Sequence, residues 1–106
     1  DVRTGEVTTA TRTVEIDGVK VQTGQVIALL DGKLVLAASS VDEACLSLLE
    51  KADMDDYELI TLYMGGDYPR AEANRVGDLI QDKYPDHEVE MLDGGQPHYQ
   101  LIISIE

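Results

Sequence analysis

The chain has 106 residues, 43% of them hydrophobic, with neither Trp nor Phe. That is enough for one core of Leu, Ile, Val, Ala and a few Tyr, and too apolar for a disordered tail. Twenty-one acidic residues against eight basic ones give a formal charge of −13; such a surface repels phosphate backbones and anionic membranes, so neither nucleic acid nor a membrane is the expected partner.

In chain order, TGEVTTATRTVEI is rich in Thr and Val and reads as strand, and Asp17-Gly18 follows as a turn. A short run, VKVQTG, leads into QVIALL, then Asp31-Gly32, then KLVLAA. Two Asp-Gly turns between apolar runs predict antiparallel pairing, with QVIALL and KLVLAA as a hairpin. At Ser39-Ser40 the period changes. Val41, Ala44, Cys45, Leu48 and Leu49 fall on one helical face. Ser40 is the expected N-cap, with Glu43 completing a capping-box pattern and Lys51 near the far end.

ELITLYM is apolar on both faces, as expected of a central strand in a covered sheet. GGDYP then opens a second helix, with Pro69 in its first turn, Ala73, Val76, Gly77, Ile80 and Tyr84 facing inward, and Pro85 as the stop. HEVEML alternates as a half-buried strand, and YQLIISI closes the chain. The order β-β-β-α-β-α-β-β predicts an α/β (α+β) domain over residues 1–106: a mixed β-sheet with two helices. Two crossovers around ELITLYM favour parallel neighbours, and the ends are expected to close as hairpins.

Few residues point to chemistry. His87 and His98 lack a second His or Cys at metal-ligand spacing, and His87 is expected to be a solvated edge residue. Cys45 falls in the helical stripe as a small hydrophobe, and as the only cysteine it leaves no internal disulfide, which suits the cytoplasm. Asp53, Asp55 and Asp56 lack the glycine and terminal glutamate of a calcium loop, so they read as a solvated acidic linker. Neither a metal site nor a catalytic grouping is expected. Gly65, Gly66 and Asp67 lie between a strand end and a helix start, where free amides can hold an anion; they read as a turn or as a second binding edge. The segment Asp93–Pro97 is longer than a hairpin needs. Gln96, which both donates and accepts, sits among Gly94, Gly95 and Pro97, with Tyr99 close behind as a flat anchor of the kind interfaces favour.

The ending GGQPHYQLIISIE resembles the Gly-Gly-Gln-Pro-x-Tyr ending, followed by an Ile-Ile-Ser strand, of the bacterial dihydroxyacetone-kinase-like proteins that serve as the ATP-binding subunit of fatty acid kinase. TGEVTTATRTVEIDGVKVQTGQVIALLDGKLV and ELITLYMGGDYPRAEA are similar to the same family, so the resemblance covers essentially the whole chain. His98, Gln100 and Pro69 depart from its commoner residues.

The resemblance implies a non-catalytic C-terminal domain of a longer kinase subunit, in keeping with a chain that begins at Asp1 without methionine or a signal-peptide segment. It implies that ATP and magnesium bind in an absent N-terminal domain and that no cofactor binds here. It further implies a partner, a DegV-like fatty-acid-binding protein whose carboxylate is presented for phosphorylation. On that basis the partner-binding residues are Gly94, Gly95, Gln96, Pro97 and Tyr99, with Gly65, Gly66 and Asp67 as an anion or partner loop. The alternatives are a small-ligand or lipid-binding DegV-like module, and a structural or dimerisation domain, homodimerisation through the full-length chain being left open.

Overall fold

The computed structural model describes residues 2–106. The Thr-rich opening divides into β1 (Arg3–Thr9), which joins the main sheet, and β2 (Val14–Ile16), which leaves it to pair with β3 (Val19–Val21). β4 (Val26–Leu30) and β5 (Lys33–Ala38) form the predicted hairpin. Both Asp-Gly pairs turn as their chemistry requires. Asp17 and Gly18 have φ of 52° and 82°, Asp31 and Gly32 of 53° and 83°. Two central residues at positive φ give a type I′ turn, whose twist matches the strands it joins.

α1 (Val41–Ala52) starts where expected: the Ser40 hydroxyl accepts the Glu43 N–H at 3.2 Å. Only half of the capping box forms, because the Glu43 carboxylate accepts from the Ser39 hydroxyl at 2.9 Å instead. A short 3₁₀ turn (Met54–Asp56) presses Met54 into the core and leaves its aspartates in solvent. Then come β6 (Leu59–Met64), α2 (Arg70–Lys83), β7 (Glu88–Asp93) and β8 (Tyr99–Ile105). Asp42 binds Arg75 at 2.5 Å and Glu50 binds Lys83, so the two helices lie side by side on one face of the sheet. Between helices and sheet sits the core of Val7, Ala28, Leu48, Leu49, Ile60, Leu62, Ile80, Leu101 and Ile103.

The six-stranded sheet runs β5-β4-β1-β8-β6-β7, antiparallel throughout except for β6 beside β7. The mixed sheet with two helices is therefore as predicted, with two corrections. The crossover through α2 does make parallel neighbours, but β5 and β6, joined through α1, are separated by three strands. The terminal pair is not a hairpin either. β8 inserts between β1 and β6, pairing antiparallel with each, and β6 separates it from β7. Its all-apolar inward set, Leu101, Ile103 and Ile105, fits the middle of the sheet, whereas β7, with Glu88 and Glu90 exposed, fits an edge.

The Asp31 turn is tied to the sheet. Its carboxylate accepts the Thr4 N–H at 3.0 Å and the Arg3 side chain at 2.9 Å. The Thr4 bond first, then the Arg3 bond, hold this carboxyl below its ordinary value of 3.8. A depressed folded value means that the contribution is fully present above the unfolded value and is lost as pH falls through the folded one. The stability gap between the native chain and Asp31→Asn, measured in urea, is therefore expected at neutral pH and should close below about pH 3.

Candidate docking site

Because β8 lies beyond β6, residues Asp93–Pro97 must pass over the C-terminal end of β6. They do so by serving its free carbonyls. The Gly94 and Gly95 N–H groups both donate to the Met64 carbonyl at 3.0 Å. The Gln96 side-chain amide donates to the Tyr63 carbonyl at 2.9 Å and to the Tyr99 carbonyl at 3.4 Å. That explains the length of the connection: it is a bridge with hydrogen-bonded supports.

The second predicted loop is fastened to the first. The Gly65 N–H donates to the Gln100 carbonyl at 2.9 Å, and the Gly66 N–H to the Gln96 carbonyl at 3.0 Å. These are the amides an anion would have needed at the mouth of α2, so the anion reading of Gly65–Asp67 loses two of its donors. Asp67 is exposed, as are Gly94, Gly95, Pro97 and His98; Gln96 and Tyr99 are half-buried.

Asp67, Gln96 and Tyr99 share the wall of one cleft of about 310 Å³. Val41, Tyr68, His98 and Gln100 complete it. His98 lies at φ 72°, and its carbonyl accepts the Thr8 hydroxyl from β1, which fixes the approach of β8. The Gln100 amide donates to the Thr9 hydroxyl at 2.8 Å, and its side-chain oxygen is buried without a partner. Burial first, then the neighbouring Cys45, Glu72 and Asp42, push the Tyr68 phenol up to about 12. It remains a neutral hydroxyl at any ordinary pH. Tyr68 was legible as an aromatic directly after the glycine pair, but nothing local signalled Val41, which lies a helix, a strand and a loop away.

The cleft offers carbonyls, phenols, an imidazole and a carboxylate, and it contains no nucleophile. Cys45 is fully buried under α1, where loss of solvent, with Asp42 nearby, pushes its thiol up to about 12. His87 differs from its reading as a solvated edge residue. Its ring is half-buried, donates from Nε2 to the Met54 carbonyl at 2.8 Å, and meets Tyr84 edge-on. The Gln81 amide pins the same corner by donating to the Tyr84 and His87 carbonyls at 3.1 and 2.9 Å. Among the described residues no three His, Cys, Asp or Glu side chains are grouped to hold a metal ion, and no helix is long and apolar enough to cross a membrane.

A family model for the FakA-like C-terminal domain, the C-terminal part of the A-type component of fatty acid kinase, matches residues 1–106. An uncharacterized protein of Staphylococcus epidermidis is 34% identical over 105 residues, which is 99% of this chain. An uncharacterized protein of Staphylococcus aureus (strain MRSA252) is 35% identical over 106 residues, the whole of this chain. The chain spans 19% of the length of each of these relatives.

Proposed function

The chain belongs to the FakA-like C-terminal domain family of fatty acid kinase, and from that premise we propose that it is a non-catalytic docking domain of a longer, ATP-dependent kinase subunit. In this reading it receives a DegV-like, fatty-acid-carrying protein and sets the acyl carboxylate near ATP and magnesium bound elsewhere in the longer chain, in the cytoplasm. Phosphoryl transfer depends on positioning, so a docking domain contributes to rate without touching the reacting atoms. The residues present do not fit the nucleotide itself. The Gly65 and Gly66 amides are engaged by backbone carbonyls, and no metal-binding group of carboxylates stands among the described residues.

One observation carries the proposal. Two loops far apart in the chain are joined by hydrogen bonds into a single exposed rim around one cleft. A surface fixed before it meets a partner loses little conformational freedom on binding. Tyr99, at the rim, supplies the flat amphipathic face. Gln96 acts one step back, as the strut that holds the rim in place.

In the full-length protein, Tyr99→Ala is expected to raise the KM for loaded carrier about tenfold, or ~1.4 kcal/mol, with kcat at saturation unchanged. An unaltered KM would sink the docking reading. Gln96→Ala is less informative, because it also loosens the loop.

A second reading, in which the domain itself holds a small apolar ligand, is favoured by a cleft of about 380 Å³ beneath the β2–β3 hairpin, lined by Val14, Ile16, Val21, Ile27 and Leu34. A rise in melting temperature on adding fatty acid alone would support it.

A further inference from the structure

Both helices lie on one face of the sheet. The opposite face carries an apolar strip that the helices leave uncovered. Strand register defines it: Leu34 stands beside Leu29, Leu29 beside Glu6, Glu6 beside Ile102, Ile102 beside Tyr63, and Tyr63 beside Leu92. One row thus crosses all six strands, roughly 24 Å at the usual strand spacing. Glu6 is its one charged member; every other residue is apolar or aromatic. The β2–β3 hairpin folds over the Leu34 end, while Leu92 at the other end is 46% exposed. A contiguous apolar strip on a face of this size marks a contact surface.

Charge says what kind. Glu6, in the middle of the row, is half-buried and makes no ion pair with any described residue. Glu88 and Glu90 share its face on β7, and no Lys or Arg occupies a strand position of that face. A second copy would bring like charges together, on chains that each carry −13. The complementary surface is therefore apolar, with a Lys or Arg opposite Glu6.

The source follows from length. This chain is 19% of its relatives, so the greater part of such a polypeptide is always tethered beside it. Tethering supplies millimolar effective concentrations for an internal contact. We propose that the open face of the sheet packs against another part of the same longer polypeptide, which presents an apolar patch and a cation to Glu6. This contact rests on family membership and is independent of the docking reading, since it concerns a different surface.

The test uses the full-length protein without its carrier, with a benzophenone amino acid in place of Leu92, an equal mixture of isotope-labelled and unlabelled chains, and the same probe at exposed Asp82 on α2 as control. The expected result is cross-linking within one chain, to sequence outside these 106 residues, at several times the Asp82 yield. Glu6→Lys, or Leu92→Lys with the probe moved to Ile102 if that variant fails to fold, should lower the yield several-fold. Cross-links between labelled and unlabelled copies would overturn the proposal in favour of self-association. Cross-links that form only after the carrier is added would overturn it in favour of a separate partner, and a yield no higher than the control would overturn it by showing the face to be bare.

Discussion

Gly65→Ala is expected to be among the most damaging single substitutions in the domain. Gly65 is buried directly after β6, and a Cβ there would overlap the Tyr99 carbonyl oxygen and stand 3.2 Å from that of Gln100. Both obstacles are backbone, with no side-chain rotamer able to move aside. Nor can β8 retreat, because it is paired to β1 and β6 at once. Relief would require breaking the Gly65–Gln100 hydrogen bond and lifting the start of β8. A loss of about 3 kcal/mol is expected, at the upper end for overpacking. For a domain of this size that lowers the melting temperature by on the order of 15 °C. Gly66→Ala is the control: its Cβ would meet the Gly95 carbonyl oxygen at 3.1 Å, in an exposed loop. A loss below about 1 kcal/mol for Gly65→Ala would show that the joint between the two loops is loose.

The second large effect concerns the seating of α1 on the sheet. Gly5 lies on β1 directly beneath Leu48, and a Cβ at Gly5 would overlap the Leu48 side chain, which is completely buried. The missing side chain of one residue is filled by the whole side chain of the other. Leu48→Ala should lose about 2–5 kcal/mol through transfer and cavity effects. Gly5→Ala should lose about 1–3 kcal/mol through overpacking. In the double variant the alanine methyl enters the space that Leu48 vacated. The combined loss should then fall short of the sum by at least about 1 kcal/mol. Additivity within about 0.5 kcal/mol, from urea midpoints of the native chain and its three variants, would show that the two sites do not share that space.

Features with a local mechanism were legible in the sequence. The Asp-Gly pairs announce their positive φ, the 3.6-residue stripe announces α1, and Cys45 sits in that stripe where the structure buries it. Two-sided apolarity marked β6 as an interior strand. What was not legible depends on partners far along the chain. Two strands joined by a glycine-rich loop look like a hairpin, and nothing in HEVEML or YQLIISI states that β6 stands between them. The pairing of β8 with β1 joins the two ends of the described chain, and no window of sequence contains both. His87 is similar: its ring is held by the Met54 carbonyl, a backbone atom 33 residues away, which composition cannot reveal.

The candidate site divides along the same line. Gly65–Asp67 and Gly94–Tyr99 were picked out separately by their glycines and by one conspicuous amide. Their union depended on the path over β6. Gln96 looked outward-facing because it can donate and accept, yet its amide points inward, because the Tyr63 carbonyl at a strand end needs a donor.

The position of β8 also bears on how the domain comes to exist on the ribosome. β5, β4 and β1 make one half of the sheet, β6 and β7 the other, and β8 alone joins them. Yet β8 is synthesised after every other strand. Until it emerges, β1 and β6 each show an unpaired edge, open to foreign strands. Closure then pairs Arg3 with Ile105, a contact spanning almost the whole chain, and such long-range closure is slow. The nascent domain should therefore depend on chaperones late in synthesis, and losing its final strand should leave two halves with nothing to hold them together.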